Sequence, residues 1–98
     1  MHRGELWSYV PQSSPRQVVV VIVSSDGINQ STRSWLLGAP IAEQDPGDIL
    51  AVPVDGHGWV SAGNLSRYFR GWLRDHVGTL QGQALDDLDS ALRAALEL

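Results

Sequence analysis

The sequence predicts a mainly β fold of the α+β class, a small antiparallel sheet or barrel of five or six short strands with one C-terminal helix. Short apolar runs alternate with segments rich in Gly, Pro, Asp and Ser over most of the chain. β-Branched residues concentrate in one early run, 17–23, and apolar residues take up helical spacing only after residue 84. At 98 residues without cysteine, the chain has the length of one domain, placed here at 1–98.

The first three strands lie in the N-terminal half. One ends near Val10, because the turn-forming segment 11–15 follows it. The run 17–23 is the second strand, and its lack of polar alternation is typical of a strand buried on both faces. After a polar loop over 24–33, a third strand begins at Trp35 and ends near Pro40.

The next part of the chain predicts further strands. Residues 48–54 have strand composition, but Pro53 lacks the N–H of a central ladder, so this fourth strand lies at an edge or bends. A turn over 55–58 leads to a fifth strand at 59–64. The segment 65–80 mixes aromatic residues with arginines and predicts a sixth strand followed by a helical turn.

The C-terminal segment predicts a helix with an unusually wide apolar face. The residues at helical spacing are Leu85, Leu88, Leu92, Ala95 and Leu96, joined on the same face by Ala91, Ala94 and Leu98. Together they span an arc of roughly 200°, about twice the stripe that covers one core. Either a homodimer or another partner covers the excess, or the helix sinks into a curved sheet.

Composition excludes several classes of protein. The net charge of −4 argues against a protein that coats nucleic acid through a strongly basic surface. Without cysteine there are no disulfides, thiolate metal sites or cysteine nucleophiles. The longest apolar stretch, 18–23, is far shorter than a membrane span, and no signal peptide begins the sequence. These features predict a cytoplasmic protein with no membrane contact.

Several motifs resemble the MazF/PemK family of toxins, whose fold is also that of CcdB. The matching residues are Arg3-Gly4-Glu5-Leu6-Trp7, then Pro15-Arg16-Gln17 with the β-branched run, Val52-Pro53-Val54, Asp75-His76-Val77-Gly78-Thr79-Leu80 and the helix over 84–98. The resemblance covers essentially the whole chain, and its most specific part is the opening motif followed at this distance by Arg16.

The resemblance implies both an architecture and an activity. It implies an SH3-like barrel that forms a homodimer and is neutralised by a small cognate antitoxin protein. It also implies a toxin of a type II toxin–antitoxin system, an endoribonuclease (mRNA interferase) that cuts single-stranded mRNA at specific sequences. Cleavage then proceeds through a 2′,3′-cyclic phosphate, and neither a metal nor another cofactor is expected.

Only some of the family's site residues have counterparts in this sequence. Arg16 stands where the family has its catalytic arginine, whose planar fork suits two phosphate oxygens at once. Ser13 and Ser14 are the hydroxyls left in the preceding loop, which lacks the family's glutamate and glycines, and Asn64 keeps the amide of an acid–glutamine pair. No hydroxyl follows the third strand where the family has threonine. His57, in a glycine-rich turn, is the candidate acid or base for proton transfer.

The segment from Arg67 to Arg74 interleaves cations with aromatic residues, a pattern that can hold single-stranded RNA. Arg67 is therefore a candidate RNA contact. The alternative is a strand whose aromatic residues lie in the core while its arginines are solvated. The tryptophans Trp7, Trp35 and Trp59 are predicted in the core or at a dimer interface.

Two other functions remain open. A non-enzymatic toxin on the same barrel, resembling the gyrase poison CcdB, would act through its C-terminal residues, but the ending Ala94-Ala-Leu-Glu-Leu98 lacks the aromatic–glycine–aliphatic tail of that group. The third alternative is a family member that has lost catalysis and keeps its dimer and antitoxin contacts as a binding module.

Overall fold

The computed structural model describes residues 1–12, 16–54 and 56–96. Seven strands, all antiparallel to their neighbours, lie within these residues: β1 (Glu5–Tyr9), β2 (Val18–Ile22), β3 (Trp35–Ala42), β4 (Ala51–Val54), β5 (Gly58–Ser61), β6 (Ser66–Phe69) and β7 (Leu73–Thr79). The α-helices of the described ranges are α1 (Asp26–Asn29) and α2 (Gln83–Leu96), and single 3₁₀ turns occupy Ala62–Asn64 and Arg70–Trp72.

The sheet has the order β4-β5-β3-β2-β1-β7, with β6 also paired to β3. The length of β3 explains this branch, because its first half pairs with β6 and its end pairs with β5 on the same edge. The sheet thereby curls into a half-barrel against α2. The predicted curved antiparallel sheet with a C-terminal helix is confirmed.

The central strand β2 is buried on both faces. Val20, Val21 and Ile22 have no exposed surface. Because side chains alternate along a strand, Val21 packs into the core between the sheet and α2, whereas Val20 and Ile22 pack into a second apolar cluster on the opposite face. The unbroken β-branched run therefore has the two-sided burial that it predicts.

The half-barrel has an edge strand at each end of the sheet. The strand β4 forms one edge, and Pro53 lies exposed on it, which confirms the edge position that this proline predicts. This strand begins at Ala51, three residues later than predicted. The other edge, β7, is mostly exposed and shifts register against β1, an irregularity typical of edge strands.

The helix α2 covers the inner core with only part of its apolar face. Leu88 and Leu92 are buried, and Leu85 is half-buried against Gly4. Further along, Ala94, Ala95 and Leu96 are exposed, and Leu96 keeps 53% of its surface accessible. Leu98 lies outside the described residues. The helix does not sink fully into the sheet, so apolar surface remains on the single chain.

The segment 65–80 contains one more strand than expected. The sixth strand and the turn after it match the prediction, but the chain then extends again as β7. Tyr68 is buried, Phe69 and Trp72 are half-buried, and Arg67 and Arg74 are exposed. This is the arrangement of the alternative interpretation, except for Arg70, whose contacts are described below.

The predicted polar loop over 24–33 contains the short helix α1. The side chain of Ser25 caps this helix by accepting from the Ile28 N–H. Behind it, the buried Ser24 and Asn29 bond to each other, with the Asn29 amide donating to the Ser24 carbonyl at 2.9 Å. No helix among the described residues is both long and apolar enough to cross a membrane.

The three tryptophans differ in their surroundings. Trp7 and Trp59 are half-buried, and Trp7 packs against the second apolar cluster. Trp35 lies at the start of β3 with 44% of its surface accessible, so it is not a core residue.

Candidate functional site

Arg16 is an exposed residue two positions before β2. The strand that follows it is fixed by the buried residues from Val20 onward, and its first residue, Val18, pairs with Tyr9 of β1. The start of β2 therefore holds Arg16 at one end of the sheet. Ser13 and Ser14, the other candidates of this loop, lie outside the described residues.

Arg67 lies at the other end of the β2–β3 ladder. It is exposed on β6 opposite Leu37, and its guanidinium carbon lies 5.3 Å from the centre of the Trp35 ring. The cation and ring flank a cleft of about 450 Å³ at the start of β3. A cation over an indole face is attracted by the ring quadrupole, which holds this pair together.

Asn64 ends the 3₁₀ turn after β5 and is exposed. The turn is anchored by Ser61, whose hydroxyl accepts from the Gly63 N–H and donates to the Asp48 carboxylate at 2.7 Å. This hydrogen bond, together with one from the Leu50 N–H, lowers the pKa of Asp48. The hydrogen bonds of Ser61 therefore stabilise the turn that holds Asn64 just before β6.

His57 lies in a different cleft, of about 530 Å³, between the β4–β5 turn, the end of β7 and the start of α2. Its ring fits against Gly78, where a side-chain carbon would come within 3.2 Å of His57 Nε2. Thr79 lines the same cleft and bonds to His76, whose ring stacks on Trp7 at 5.5 Å. Because Gly78 has no side chain, the imidazole of His57 can lie close to the backbone of β7.

The carboxylate of Glu5 borders the His76–Trp7 stack. Burial raises its pKa, but the hydrogen bond from the Trp7 indole at 2.9 Å and the nearby His76 act in the opposite direction and prevail. The pKa of Glu5 is therefore below its ordinary value, and the group is ionised at neutral pH.

The strand register separates these candidates. Val18, the first residue of β2, is four residues from Ile22, which pairs with Gly38 of β3. Arg67 pairs with the neighbouring Leu37 and so lies one residue further along the strand direction. At 3.3 Å per residue, the start of β2 is about 16 Å from the level of Arg67 along the strands. By the same measure, Gly78 pairs with Leu6, about 10 Å from the Tyr9 level at which β2 begins. The register therefore separates the start of β2 from the levels of Arg67 and Gly78 along the strand direction.

Arg70 belongs to the segment of interleaved arginines and aromatic residues, but its hydrogen bonds give it a structural role. Its guanidinium donates to the carbonyl oxygens of Asn29 at 2.8 Å, Ile28 at 3.1 Å and Arg33 at 2.9 Å. These bonds tie the end of α1 and the approach to β3 onto the sheet. Sequence reasoning missed this role because the acceptors are backbone carbonyls, which leave no mark on the sequence.

A third groove, of about 310 Å³, runs between α2 and the β3–β6 side of the sheet. Its apolar lining consists of Val23, Leu37, Leu65, Leu92 and Leu96, and we call it the apolar groove. At one side Arg3 pairs with Asp89 of α2, with 2.5 Å between their nearest nitrogen and oxygen. This ion pair fixes the N-terminal segment against the helix.

In the described part of the chain, no group of three or more histidine, aspartate or glutamate side chains is placed to hold a metal ion.

Comparison with known proteins places the fold. A mycobacterial endoribonuclease solved with its cognate antitoxin has a TM-score of 0.84 at 20% identity, over 100% of this chain and 94% of that one. A MazE–MazF crystal structure from Deinococcus radiodurans gives 0.81 at 14% identity, over 100% and 96%. The Mycobacterium tuberculosis toxin MazF-mt6 gives 0.81 at 20% identity, over 96% and 97%.

No protein-family model and no curated protein sequence matches the chain. The structural likeness nevertheless spans 96% to 100% of the chain in the comparisons above. The chain therefore has a MazF-like fold, as the resemblance of its motifs predicts.

Proposed function

We propose that this chain is the toxin of a type II toxin–antitoxin pair and cleaves single-stranded mRNA at specific sequences in the cytoplasm. The observation that carries the proposal is the whole-chain likeness to endoribonucleases, including one solved with its antitoxin, in a chain that presents Arg16 at the start of β2. That is the position at which the motif resemblance expects the catalytic arginine.

The proposed chemistry uses the RNA itself as nucleophile. The ribose 2′-oxygen gives up its proton and attacks the adjacent phosphorus, while the bond to the 5′-oxygen breaks and that oxygen takes a proton. The products are a 2′,3′-cyclic phosphate and a 5′-hydroxyl. Arg16 would donate two N–H groups to the non-bridging oxygens, whose charge grows in the transition state. This route requires no metal and no other cofactor.

Four other residues are proposed to bind RNA. Ser13 and Ser14 adjoin Arg16 in sequence, whereas Asn64 and Arg67 are exposed on the β5–β6 side of the sheet. His57 is a separate candidate for proton transfer. Because the register places its cleft about 10 Å from the start of β2, it receives a test of its own.

We also propose a homodimer formed through the apolar groove. Leu96 keeps 53% of its surface accessible there, next to the buried Leu92. A second copy would cover this surface, which is the excess that the wide helix face predicts. Sedimentation should give twice the chain mass for the parent, and Leu96→Glu should give a folded monomer. A parent that sediments as a monomer at micromolar concentration would contradict the dimer.

The cognate antitoxin is proposed to act through an acidic segment that covers Arg16. Opposite charges favour such a contact, and it would block the phosphate position directly. A protein partner bound in this way should compete with RNA and should lose affinity for Arg16→Ala.

Cleavage is tested by incubating the purified chain with a long mixed-sequence RNA in EDTA. The parent should give discrete fragments that end in cyclic phosphate. Arg16→Ala should cut about 100-fold to 1,000-fold more slowly, the effect of removing a donor aimed at transition-state charge. Arg16→Lys keeps the charge but loses the planar fork, so it should recover only part of the rate. Arg93→Ala, which removes an exposed cation from α2, is the control and should cut like the parent.

Other outcomes point to the alternatives. Intact RNA with arrested growth on expression would favour a CcdB-like gyrase poison, and intact RNA without a growth effect would favour a binding module. If the parent cuts RNA, His57→Asn tests proton transfer by that residue. An unchanged rate and pH profile would remove His57 from the mechanism and leave Arg16 in place.

A further inference from the structure

The cleft at the start of β3 contains a partly exposed aromatic ring. Trp35 keeps 44% of its surface accessible and lines the cleft of about 450 Å³ with Arg33, Ser34, Leu37 and Arg67. A space of this size lies within the range of small-ligand pockets. The exposed part of the indole, which Arg67 and Phe69 do not cover, can serve as a stacking surface for a planar ligand.

The ring is held in a fixed position. Phe69, paired with Trp35 across β3 and β6, meets it edge to face with 5.4 Å between ring centres. Phe69 in turn packs on Trp72 at 5.1 Å, and the ring of Trp72 approaches Tyr9 at 6.0 Å. This chain of rings connects Trp35 to the second apolar cluster. A pre-positioned ring loses little freedom when a ligand stacks on it.

The charge of the cleft is entirely of one sign. Its charged lining residues, within the described part of the chain, are Arg33 and Arg67, and no acidic residue lines it. The chain as a whole carries a net charge of −4, so this is a local reversal. An aromatic surface with two guanidinium groups beside it is complementary to a nucleotide, which has a flat base and an anionic phosphate.

We propose that Trp35, Arg33 and Arg67 form a subsite for one nucleotide of single-stranded RNA, with the base stacked on Trp35 and neighbouring phosphates on the two arginines. The inference rests on the proposed nuclease function and deepens it. The start of β2 and the level of Arg67 are about 16 Å apart along the strands, so the proposal places the stacked base outside the pair of nucleotides joined by the cleaved phosphate. The subsite therefore contributes to sequence choice at a distance from the cut.

Binding is tested with a fluorescently labelled, mixed-sequence 2′-O-methyl RNA, because the blocked 2′-oxygen prevents cleavage. Trp35→Leu keeps apolar bulk but removes the π-face, and it should weaken binding by about 10-fold to 100-fold. Trp35→Phe should lose less. Arg33→Ala and Arg67→Ala should each weaken binding and reduce its salt dependence, whereas the control Arg74→Ala, an exposed residue that does not line the cleft, should have a much smaller effect. Circular dichroism confirms that each variant is folded.

The same variants separate this inference from the nuclease proposal. If the parent cuts RNA, Trp35→Leu should still cut but with altered preference among sites, whereas Arg16→Ala should stop cutting everywhere. Trp35-dependent binding by a parent that never cuts RNA would sustain the subsite and overturn the nuclease function. Folded Trp35→Leu with parental affinity and parental cleavage sites would overturn the subsite. Binding of an oligoglutamate peptide, but not RNA, in a Trp35-dependent way would also overturn it, in favour of an acidic protein partner.

Discussion

Replacing Arg70 should destabilise the fold much more than replacing any exposed arginine. Its guanidinium makes three hydrogen bonds to backbone carbonyls, at 2.8, 2.9 and 3.1 Å. At about 1 kcal/mol or slightly more for each partly exposed, charge-assisted bond, Arg70→Ala should lose about 3 to 4 kcal/mol. For a domain of this size that is a fall in melting temperature of roughly 15 to 25 °C.

Thermal and urea unfolding followed by circular dichroism measure this loss. Arg70→Lys keeps the charge but reaches fewer carbonyls, so it should lie between the parent and Arg70→Ala. Arg74→Ala, an exposed residue on β7, should stay within about 0.5 kcal/mol of the parent. If Arg70→Ala unfolds like Arg74→Ala, the three hydrogen bonds contribute nothing to stability. Arg70 then does not hold α1 and the segment before β3 against the sheet.

Three further substitutions test the β4–β5 hairpin and the loop before β4. Gly58→Ala should cost about 3 to 5 kcal/mol, because position 58 has φ of 126° and a side-chain carbon there would overlap the Ala42 carbonyl oxygen. Gly47→Ala, with φ of 72° and open space around it, should cost only about 1 kcal/mol, and equal urea midpoints for the two variants would contradict this. The pKa of Asp48 is lowered by its bonds from Ser61 and Leu50, so its contribution is complete above the unfolded pKa, near 4, and is lost as the pH falls through the lower folded value. The urea midpoint of Asp48→Asn should therefore fall less on acidification than that of the parent, whereas the control Glu43→Gln should behave like the parent. If the midpoint of Asp48→Asn depends on pH as the parent's does, Asp48 does not have this role.

The sequence predicted the fold correctly at positions where the chemistry of the residue restricts the kind of strand in which it can lie. The β-branched run predicted a strand buried on both faces, and β2 is buried in this way. Pro53 predicted an edge strand because it lacks an N–H, and β4 is that edge. Such predictions succeed because they depend on the chemistry of the residue itself and not on what packs against it.

The sequence could not indicate features that arise from pairing between distant segments. The four residues of α1 are too few to show helical periodicity, and their position depends on carbonyl bonds to Arg70. Trp35 was predicted in the core or at a dimer interface, but in the single chain its ring lies beside β6 and is 44% exposed, which the sequence pattern does not indicate. Arg70 and Arg67 look alike in the sequence, and only the fold shows that one binds carbonyls while the other lies over an indole.

The separation along the strands between the start of β2 and the level of Arg67 agrees better with the proposed polymer substrate than with a small molecule. An enzyme for a small molecule must gather its binding and reacting groups around a few ångströms, whereas these two positions lie at opposite ends of the β2–β3 ladder. A strand of RNA can contact both, because its phosphates and bases repeat along its length. The net charge of −4 adds a second constraint on the proposed RNA contact, since a protein of this charge has no strongly basic surface to attract RNA generally. In that proposal affinity comes from local cations such as Arg33 and Arg67, which line a cleft with Trp35 and without an acidic residue in its described lining.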